Sequence, residues 1–230
     1  MKHIGIVAVS AEGAALCYRT ICAEGAEKFG RHLHPEISLH CYSLADYMKP
    51  TVAGDWVEMG RMLLRSAEKL RQTGADFAIC PDNTAHQGLD LVRQESPIPW
   101  LHIAEEVADA AAQHRYRNVL VLGTRYLMEG PVYQTKLDAA GIRWAIPAED
   151  AREYINSAIF NELVYGRFER GTRADFARVI EEHAALGCDA VILGCTEIPL
   201  LIEQRDSCLP ILDSTRILAR ASLREAAGSR

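Results

Sequence analysis

The sequence predicts an α/β protein made of two similar halves, each with its own parallel sheet. Short apolar runs alternate with longer segments that carry apolar residues at helical spacing, which is the pattern of βαβ units. One stretch also occurs twice: GADFAICPDNT begins at Gly74, and GCDAVILGCTE begins at Gly187, 113 positions further on (187 minus 74). We therefore expect two pseudo-symmetric parallel-sheet α/β domains that face each other across a cleft.

The strands and helices are assigned from the period of the apolar residues. IGIVAV is a continuous apolar run of strand length, whereas the segment 55–73 places Trp56, Met59 and Leu63 at helical spacing. Gly141 follows a helical segment as a residue beyond a helix C-terminus would. The predicted strands are 4–9, 38–44, 77–80, 118–124 and 190–194, and the predicted helices are 12–28, 55–73, 102–115, 133–140, 155–165, 173–186 and 214–227.

A second match supports an internal duplication. IGIVAVS aligns with NVLVLGT, which places Ser10 over Thr124 at an offset of 114 (124 minus 10). Two matches in the same order at nearly the same offset favour a repeat over coincidence. The proline-containing segment SPIPW, which begins at Ser96, divides the halves. The predicted N-terminal half is 1–97 plus 209–230, the predicted C-terminal half is 98–208, and the active site is expected between them.

Composition and charge argue against several classes of protein. Of the 230 residues 24% are charged, and the net charge is −6. Because nucleic-acid binding needs a basic surface, no nucleic-acid partner is expected. No apolar run approaches the roughly 18 residues that would span a bilayer, so no membrane segment is expected. Gly5, Ser10 and Glu12 interrupt the N-terminal apolar run, which favours a core strand over a signal peptide.

The cysteines and histidines indicate neither disulfides nor metal. The seven cysteines are an odd number and contain no C-x-x-C pair. That pattern argues against a disulfide framework or a zinc site and predicts a cytoplasmic protein. The histidines of RHLHPEISLH, from Arg31 to His40, have no second cluster with ligand spacing. We expect a solvated surface turn there and no metal.

Four polar residues stand where predicted strands end. In open parallel sheets, ligands bind beyond the carboxyl ends of the strands, which is where Ser10, Asp82, Thr124 and Cys195 fall. In the repeat, Asp82 lies over Cys195. A planar carbanion can be protonated from either face, so an enzyme that inverts a stereocentre needs one acid/base group on each face. The sequence therefore predicts Cys195 and Asp82 as the catalytic pair.

The two catalytic candidates differ in their chemistry. A cysteine thiol has an unperturbed pKa of about 8.5, and a helix N-terminus after GCTE would stabilise the thiolate of Cys195. An aspartate with an unperturbed pKa of about 3.9 is a weak base, although desolvation can raise that value by several units. Asp82 has the alternative role of a helix N-cap, and the alternative for Cys195 is burial in the core.

Substrate carboxylates need hydroxyl, amide or backbone donors. His86 follows Asp82 closely enough to orient a carboxylate or a backbone group. Each of the other candidates has the alternative role of a helix cap. Those candidates are Ser10, Asn83, Thr84, Thr124 and Thr196.

These residues carry a resemblance to a known family. PDNTAHQ, from Pro81, and LGCTEIPLLI, from Leu193, resemble the two cysteine motifs of the aspartate/glutamate racemase superfamily, the PLP-independent amino-acid racemases. The pattern LGT…YQTKLDAAGI is also similar to that family. Glu197 resembles the aspartate-racemase branch, since glutamate racemases carry His there. In the two-cysteine members the first motif reads Cys-Asn-Thr, so Asp82 stands in place of the first catalytic cysteine.

The resemblance implies an isomerase that binds a small carboxylate, is usually a homodimer, and needs neither metal nor PLP. It adds Glu197 to the substrate-binding candidates. Our first hypothesis is a cofactor-independent racemase or epimerase of aspartate or glutamate, which removes the Cα proton and reprotonates from the opposite face. The alternatives are a single-thiol decarboxylase or isomerase of a small dicarboxylate on the same fold, and a non-catalytic carboxylate-binding protein.

Overall fold

A computed structural model describes residues 1–228. Its strands are β1 (Ile4–Ala8), β2 (Ile37–Cys41), β3 (Phe77–Ile79), β4 (Trp100–Leu101), β5 (Asn118–Leu122), β6 (Arg143–Ala145), β7 (Ala190–Leu193) and β8 (Ile211–Asp213). Its α-helices are α1 (Ala11–Phe29), α2 (Leu44–Ala53), α3 (Trp56–Gln72), α4 (His86–Val92), α5 (Ile103–Gln113), α6 (Arg125–Met128), α7 (Pro131–Ala139), α8 (Glu149–Asn161), α9 (Arg170–Ala185), α10 (Ile198–Leu201) and α11 (Ser214–Ala226). Short 3₁₀ turns occupy Arg93–Glu95, Leu163–Tyr165 and Gln204–Asp206.

The chain divides into two compact units. Unit 1 comprises Met1–Glu106 together with the C-terminal segment from Thr215, and unit 2 comprises Val107–Ser214. The sheet of unit 1 has the strand order β2-β1-β3-β4, and the sheet of unit 2 has the order β6-β5-β7-β8. Every strand pairing in both sheets is parallel. Each strand of one unit thus has a counterpart at the same place in the other, and the predicted α/β class with two parallel sheets is confirmed.

Both faces of β1, an inner strand of the unit 1 sheet, are buried. Ile4 and Ile6 of β1 pack with Leu218 of α11 on one face, whereas Val7 packs with Leu63 of α3 on the other. A strand buried on both sides carries apolar residues at every position, which is why IGIVA has no polar alternation.

Unit 2 has an equivalent core. Leu120 of β5 and Val191 of β7 pack with Ile180 of α9. Cys195, which follows β7, belongs to the same cluster and is 8% exposed. The thiol therefore stands at the margin of the apolar core of unit 2.

The repeated Gly-x-Asp segments have the same structural task in both units. Gly74 and Gly187 have φ angles of +92° and +90°, a left-handed conformation that favours glycine. The carboxylate of Asp76 accepts a hydrogen bond from the backbone N–H of His3 at 2.6 Å. The carboxylate of Asp189 accepts from the backbone N–H of Asn118 at 3.1 Å. Each aspartate thereby fixes the third strand of its unit to the start of the first.

Helices α3 and α4 of unit 1 touch through glycine backbones. A Cβ atom added to Gly88 would lie 2.6 Å from the nitrogen of Gly60 and 2.6 Å from the carbonyl oxygen of Trp56. Real Cβ atoms do not approach backbone so closely, so only glycine fits at Gly88. This contact holds α4, which follows the polar loop after β3, directly against α3.

We expect Gly88→Ala to destabilise the protein by about 1–3 kcal/mol, because the added methyl group must push two helix backbones apart. Gly171→Ala is the matched control, since a Cβ at Gly171 in α9 meets no atom within 4 Å. The control should keep or slightly raise stability, because alanine favours a helix over glycine. Urea unfolding of both variants tests this, and an unchanged unfolding midpoint for Gly88→Ala would contradict the packing account.

Candidate functional site

Asp82 lies in the loop after β3 and caps the next turn. Its Oδ1 atom accepts a hydrogen bond from the backbone N–H of Ala85 at 2.8 Å. The residue is half-buried, and it comes three positions after the end of the strand. Asp82 therefore caps the turn that precedes α4, whereas the N-cap residue of α4 is Ala85, which has no side-chain cap. The same carboxylate stands at the carboxyl end of β3, where parallel sheets place their ligands.

Cys80 precedes that loop and lies in the core. Its side chain is fully buried, and it belongs to the apolar cluster that includes Leu63 and Leu89. Burial, with a further contribution from the negative charge of Asp82, raises the pKa of the Cys80 thiol well above its ordinary value. A thiol held in its neutral form within the core is a packing residue.

His86 is fully buried and uses both of its ring nitrogens within unit 1. Nδ1 lies 2.7 Å from the carbonyl oxygen of Asp82, so it must carry the proton that is donated. Nε2 accepts from the backbone N–H of Ile103 at 3.3 Å. Burial and the neighbouring His102 ring hold the pKa of His86 well below its ordinary value. These contacts favour a role in holding the loop rather than direct contact with a substrate.

Cys195, at the matching place in unit 2, donates its thiol hydrogen to a buried carboxylate. The Sγ atom lies 2.9 Å from Oε2 of Glu197, and that residue is 3% exposed. The hydroxyl of Thr196 donates to the same oxygen at 3.2 Å. The turn after β7 thus folds the Glu197 carboxylate back onto the thiol two residues earlier.

The second oxygen of Glu197 has unusual surroundings for a buried group. Oε1 is shielded from solvent and has no hydrogen-bond partner among residues 1–228. A buried carboxylate oxygen without a donor is costly, and such groups concentrate where function requires them. The pair of Cys195 and Glu197 can therefore hold or exchange one proton between sulfur and oxygen.

Close packing fixes the strand end that carries Cys195. The backbone N–H of Gly194 donates to the carbonyl of Leu122 at 2.7 Å. A Cβ on Gly194 would lie 2.8 Å from that same oxygen and 2.6 Å from Cδ2 of Leu127. The hydroxyl of Ser214 donates to the carbonyl of Leu193 at 2.7 Å. These contacts leave little room for movement of the residue directly before the thiol.

The predicted hydroxyl and amide donors fall in both units. Ser10 Oγ accepts from the N–H of Gly13 at 3.3 Å, and Thr124 Oγ1 accepts from the N–H of Leu127 at 3.2 Å, so both residues cap the helices that follow β1 and β5. Asn83 is buried and Thr84 half-buried in the loop that carries Asp82. All of these residues follow the carboxyl ends of strands in their own unit.

Two further strand-end residues were not singled out from the sequence. His102 follows β4 directly and is 1% exposed, and Asp213 is the last residue of β8, paired with Leu193. Both strands are only two or three residues long and lie at sheet edges. Polar residues that follow parallel strands often mark functional sites, and this rule would have identified both residues. It can be applied only after the strands themselves have been recognised in the sequence.

Residues 1–228 contain neither a metal-binding cluster nor a disulfide. No group of three or more His, Cys, Asp or Glu side chains in that range is arranged to hold a metal ion. All seven cysteines in the same range carry thiols rather than disulfides. Within the described helices, none combines the length and apolar character needed to cross a bilayer.

Sequence comparisons place the chain among amino-acid racemases. The family model for Asp/Glu/hydantoin racemases matches residues 6–222. The broad-specificity amino-acid racemase RacX of Bacillus subtilis (strain 168) is 29% identical over 169 residues, 74% of this chain and 73% of that protein. A glutamate racemase of Limosilactobacillus reuteri (strain DSM 20016) is 25% identical over 145 residues, 63% of this chain and 53% of that enzyme.

Solved structures agree with the sequence comparisons. The crystal structure of a candidate Asp/Glu racemase from Yersinia pestis has a TM-score of 0.89 and 31% identity, over 99% of this chain and 100% of that chain. The crystal structure of an aspartate racemase homologue from Pyrococcus horikoshii OT3 has a TM-score of 0.85 and 29% identity, again over 99% and 100%. The resemblance inferred from PDNTAHQ and LGCTEIPLLI is confirmed. The chain belongs to the Asp/Glu/hydantoin racemase family and is an isomerase.

Proposed function

We propose that the protein is a cofactor-independent racemase or epimerase of an acidic amino acid. Cys195 acts on one face of the substrate Cα, and Asp82 acts on the other. The observation that carries the proposal is the hydrogen bond from the Cys195 thiol to the buried Glu197 carboxylate. A structural cysteine needs no such partner, whereas a cysteine that gives and takes a proton does. Asp82 aligns with Cys195 in the sequence repeat and also follows a strand end, which supports its role as the second acid/base group.

The protonation states suggest a direction of turnover. In the hydrogen bond to Glu197 the sulfur carries its proton, so Cys195 is ready to donate it. An ionised aspartate can accept a proton, which is the part proposed for Asp82. When Asp82 takes the Cα proton and Cys195 protonates the opposite face, the pair ends as carboxylic acid and thiolate. The reverse reaction starts from that second state.

Glu197 gives the thiol a route back to its first state. After turnover in one direction Cys195 is a thiolate, and it must regain a proton before the same enantiomer can react again. The Glu197 carboxyl group, in contact with Sγ, is the group that returns a proton to sulfur. Glu197 is thus proposed as a proton-transfer partner of Cys195, in addition to the substrate contact predicted from the sequence.

The names of the related proteins guide the choice of substrate. RacX is described as a racemase of broad specificity, and the other relatives are glutamate racemase and an aspartate racemase homologue. Aspartate and glutamate are therefore the first substrates to test, followed by neutral amino acids. The predicted homodimer and cytoplasmic location stay predictions, and light scattering coupled to gel filtration measures the first of them.

A second function is favoured by one contact. The Asp82 carboxylate accepts a capping hydrogen bond from Ala85, which a purely structural aspartate would also do. If Asp82 only caps, Cys195 is the one acid/base group, as a decarboxylase or isomerase of a small dicarboxylate needs. Asp82→Asn separates the two functions, because asparagine keeps a capping oxygen but cannot take a proton.

We expect Cys195→Ala to lower α-proton exchange of aspartate or glutamate by about 10²–10⁴-fold, the usual contribution of a general acid or base. Proton NMR in D₂O with each enantiomer measures the loss of the α-proton signal. Cys208→Ala is the control. The Cys208 thiol is exposed, and the strand that precedes it, β7, ends at Leu193. Exchange by Cys195→Ala at the wild-type rate would refute the assignment of the thiol.

Replacement of Asp82 tests the second face. Asp82→Asn should lower exchange of one enantiomer by about 10²-fold or more, and Asp82→Cys should make the exchange of the two enantiomers more equal. The comparison uses the same NMR measurement, run separately for L and D substrates. Wild-type exchange of both enantiomers by Asp82→Asn would favour the single-thiol function instead.

Glu197 is tested by two substitutions with different chemistry. Glutamine accepts the thiol hydrogen bond but takes no proton, so Glu197→Gln should slow steady-state turnover by about 10-fold or more while the enzyme stays folded. Glu197→Ala loses both properties and should be at least as slow. Glu181→Gln, an exposed residue of α9, is the control. Full activity of Glu197→Gln with loss in Glu197→Ala would show that the carboxylate only orients the thiol.

A further inference from the structure

The two buried histidines of unit 1 form one assembly with the loop that carries Asp82. The rings of His86 and His102 meet edge to face with their centroids 4.4 Å apart. His86 is fully buried, and His102 is 1% exposed. Buried imidazoles are expensive unless their nitrogens are satisfied, so the contacts of the four ring nitrogens define what the assembly does.

Together the two rings cap the start of α5. His86 Nε2 accepts from the N–H of Ile103 at 3.3 Å. His102 Nδ1 accepts from the N–H groups of Ala104 and Glu105, at 3.2 Å and 3.4 Å. The first N–H groups of a helix have no partner within the helix, so these imidazoles satisfy three of them.

The remaining two nitrogens lie near aspartates, and that of His102 forms no hydrogen bond within residues 1–228. His86 Nδ1 donates to the carbonyl oxygen of Asp82 at 2.7 Å. Because Nδ1 of His102 accepts hydrogen bonds, its proton must be on Nε2, which lies 3.3 Å from Oδ1 of Asp90. The His86 ring is therefore a neutral imidazole with its proton on Nδ1. If either ring gained a second proton, the nitrogen that now accepts a hydrogen bond from α5 would become a donor and would face backbone N–H groups of that helix.

We propose that His86 is a positioning residue for Asp82 in the reaction. It ties the carbonyl of Asp82 to the N-terminus of α5 and so fixes the direction of the Asp82 carboxylate. This inference rests on the proposed function, in which Asp82 serves one face of the substrate. A displacement of a reacting group by about 1 Å can lower the rate by about 10²-fold. Loss of the hydrogen bond between His86 and the Asp82 carbonyl is therefore expected to slow the reaction measurably.

The test compares the two enantiomers, because a residue that acts through Asp82 affects only one of them. The Asp82-dependent enantiomer is the one whose exchange falls in Asp82→Asn. His86→Leu should lower exchange of that enantiomer by about 10–100-fold and that of the other by less than about threefold. His86→Asn, which keeps a donor close to the Nδ1 position, should recover part of the loss. In the Asp82→Asn background, His86→Leu should add no further selective loss.

His183 provides a matched control. Its Nδ1 lies 2.7 Å from the carbonyl of Val179, four residues earlier, which is the same local contact that His86 makes with Asp82. It is also buried, on α9 of unit 2. His183→Leu and His183→Asn should leave the ratio of the two exchange rates unchanged, even if they lower the melting temperature.

The outcomes separate the inference from the function on which it rests. Selective loss in His86→Leu, or in His86→Asn if the leucine variant does not fold, supports the positioning role. Equal loss for both enantiomers, or no loss, overturns it while the racemase function stands. Absence of exchange by the wild-type enzyme with all four enantiomers of aspartate and glutamate would overturn the proposed function for these substrates, and the inference with it.

Discussion

The parallel pairing of the first and third strands is the constraint on which each unit depends. β1 pairs with β3, and β5 pairs with β7, so the loops after the paired strands leave at the same edge of their sheet. Asp76 and Asp189 fix this pairing through the N–H groups at the starts of β1 and β5. In each unit this arrangement places the polar residues that follow the paired strands at one edge of the sheet, whatever their chemistry.

The two units differ in the side chains that follow their third strands, β3 and β7. After β3, Asp82 is held by a capping bond to Ala85 and, through its carbonyl, by His86. After β7, Cys195 is held by packing at Gly194 and faces the Glu197 carboxylate. A duplicated scaffold thus offers a carboxylate in one unit and a thiol with its own carboxylate in the other. This difference is the physical basis on which we propose asymmetric turnover.

The sequence predicted the central strands well and the edges poorly. β1, β5 and β7 are continuous apolar runs because both of their faces are buried, whereas β4, β6 and β8 have two or three residues and no period to detect. α4 escaped detection because its packing uses Gly88 rather than a row of large apolar residues. The positions of Asp82 and Cys195 were predictable from the repeat. The contact between Cys195 and Glu197 was not, because it depends on the geometry of a turn.

In the proposed reaction, two different groups serve the two faces of Cα. The most direct measurement starts from one unlabelled enantiomer in D₂O and follows deuterium in substrate and product during the first few per cent of conversion. Two groups predict that the product carries deuterium at Cα from the outset while the remaining substrate stays largely protiated. Product that retains the original proton would show that one group moves it between faces, and would contradict the account.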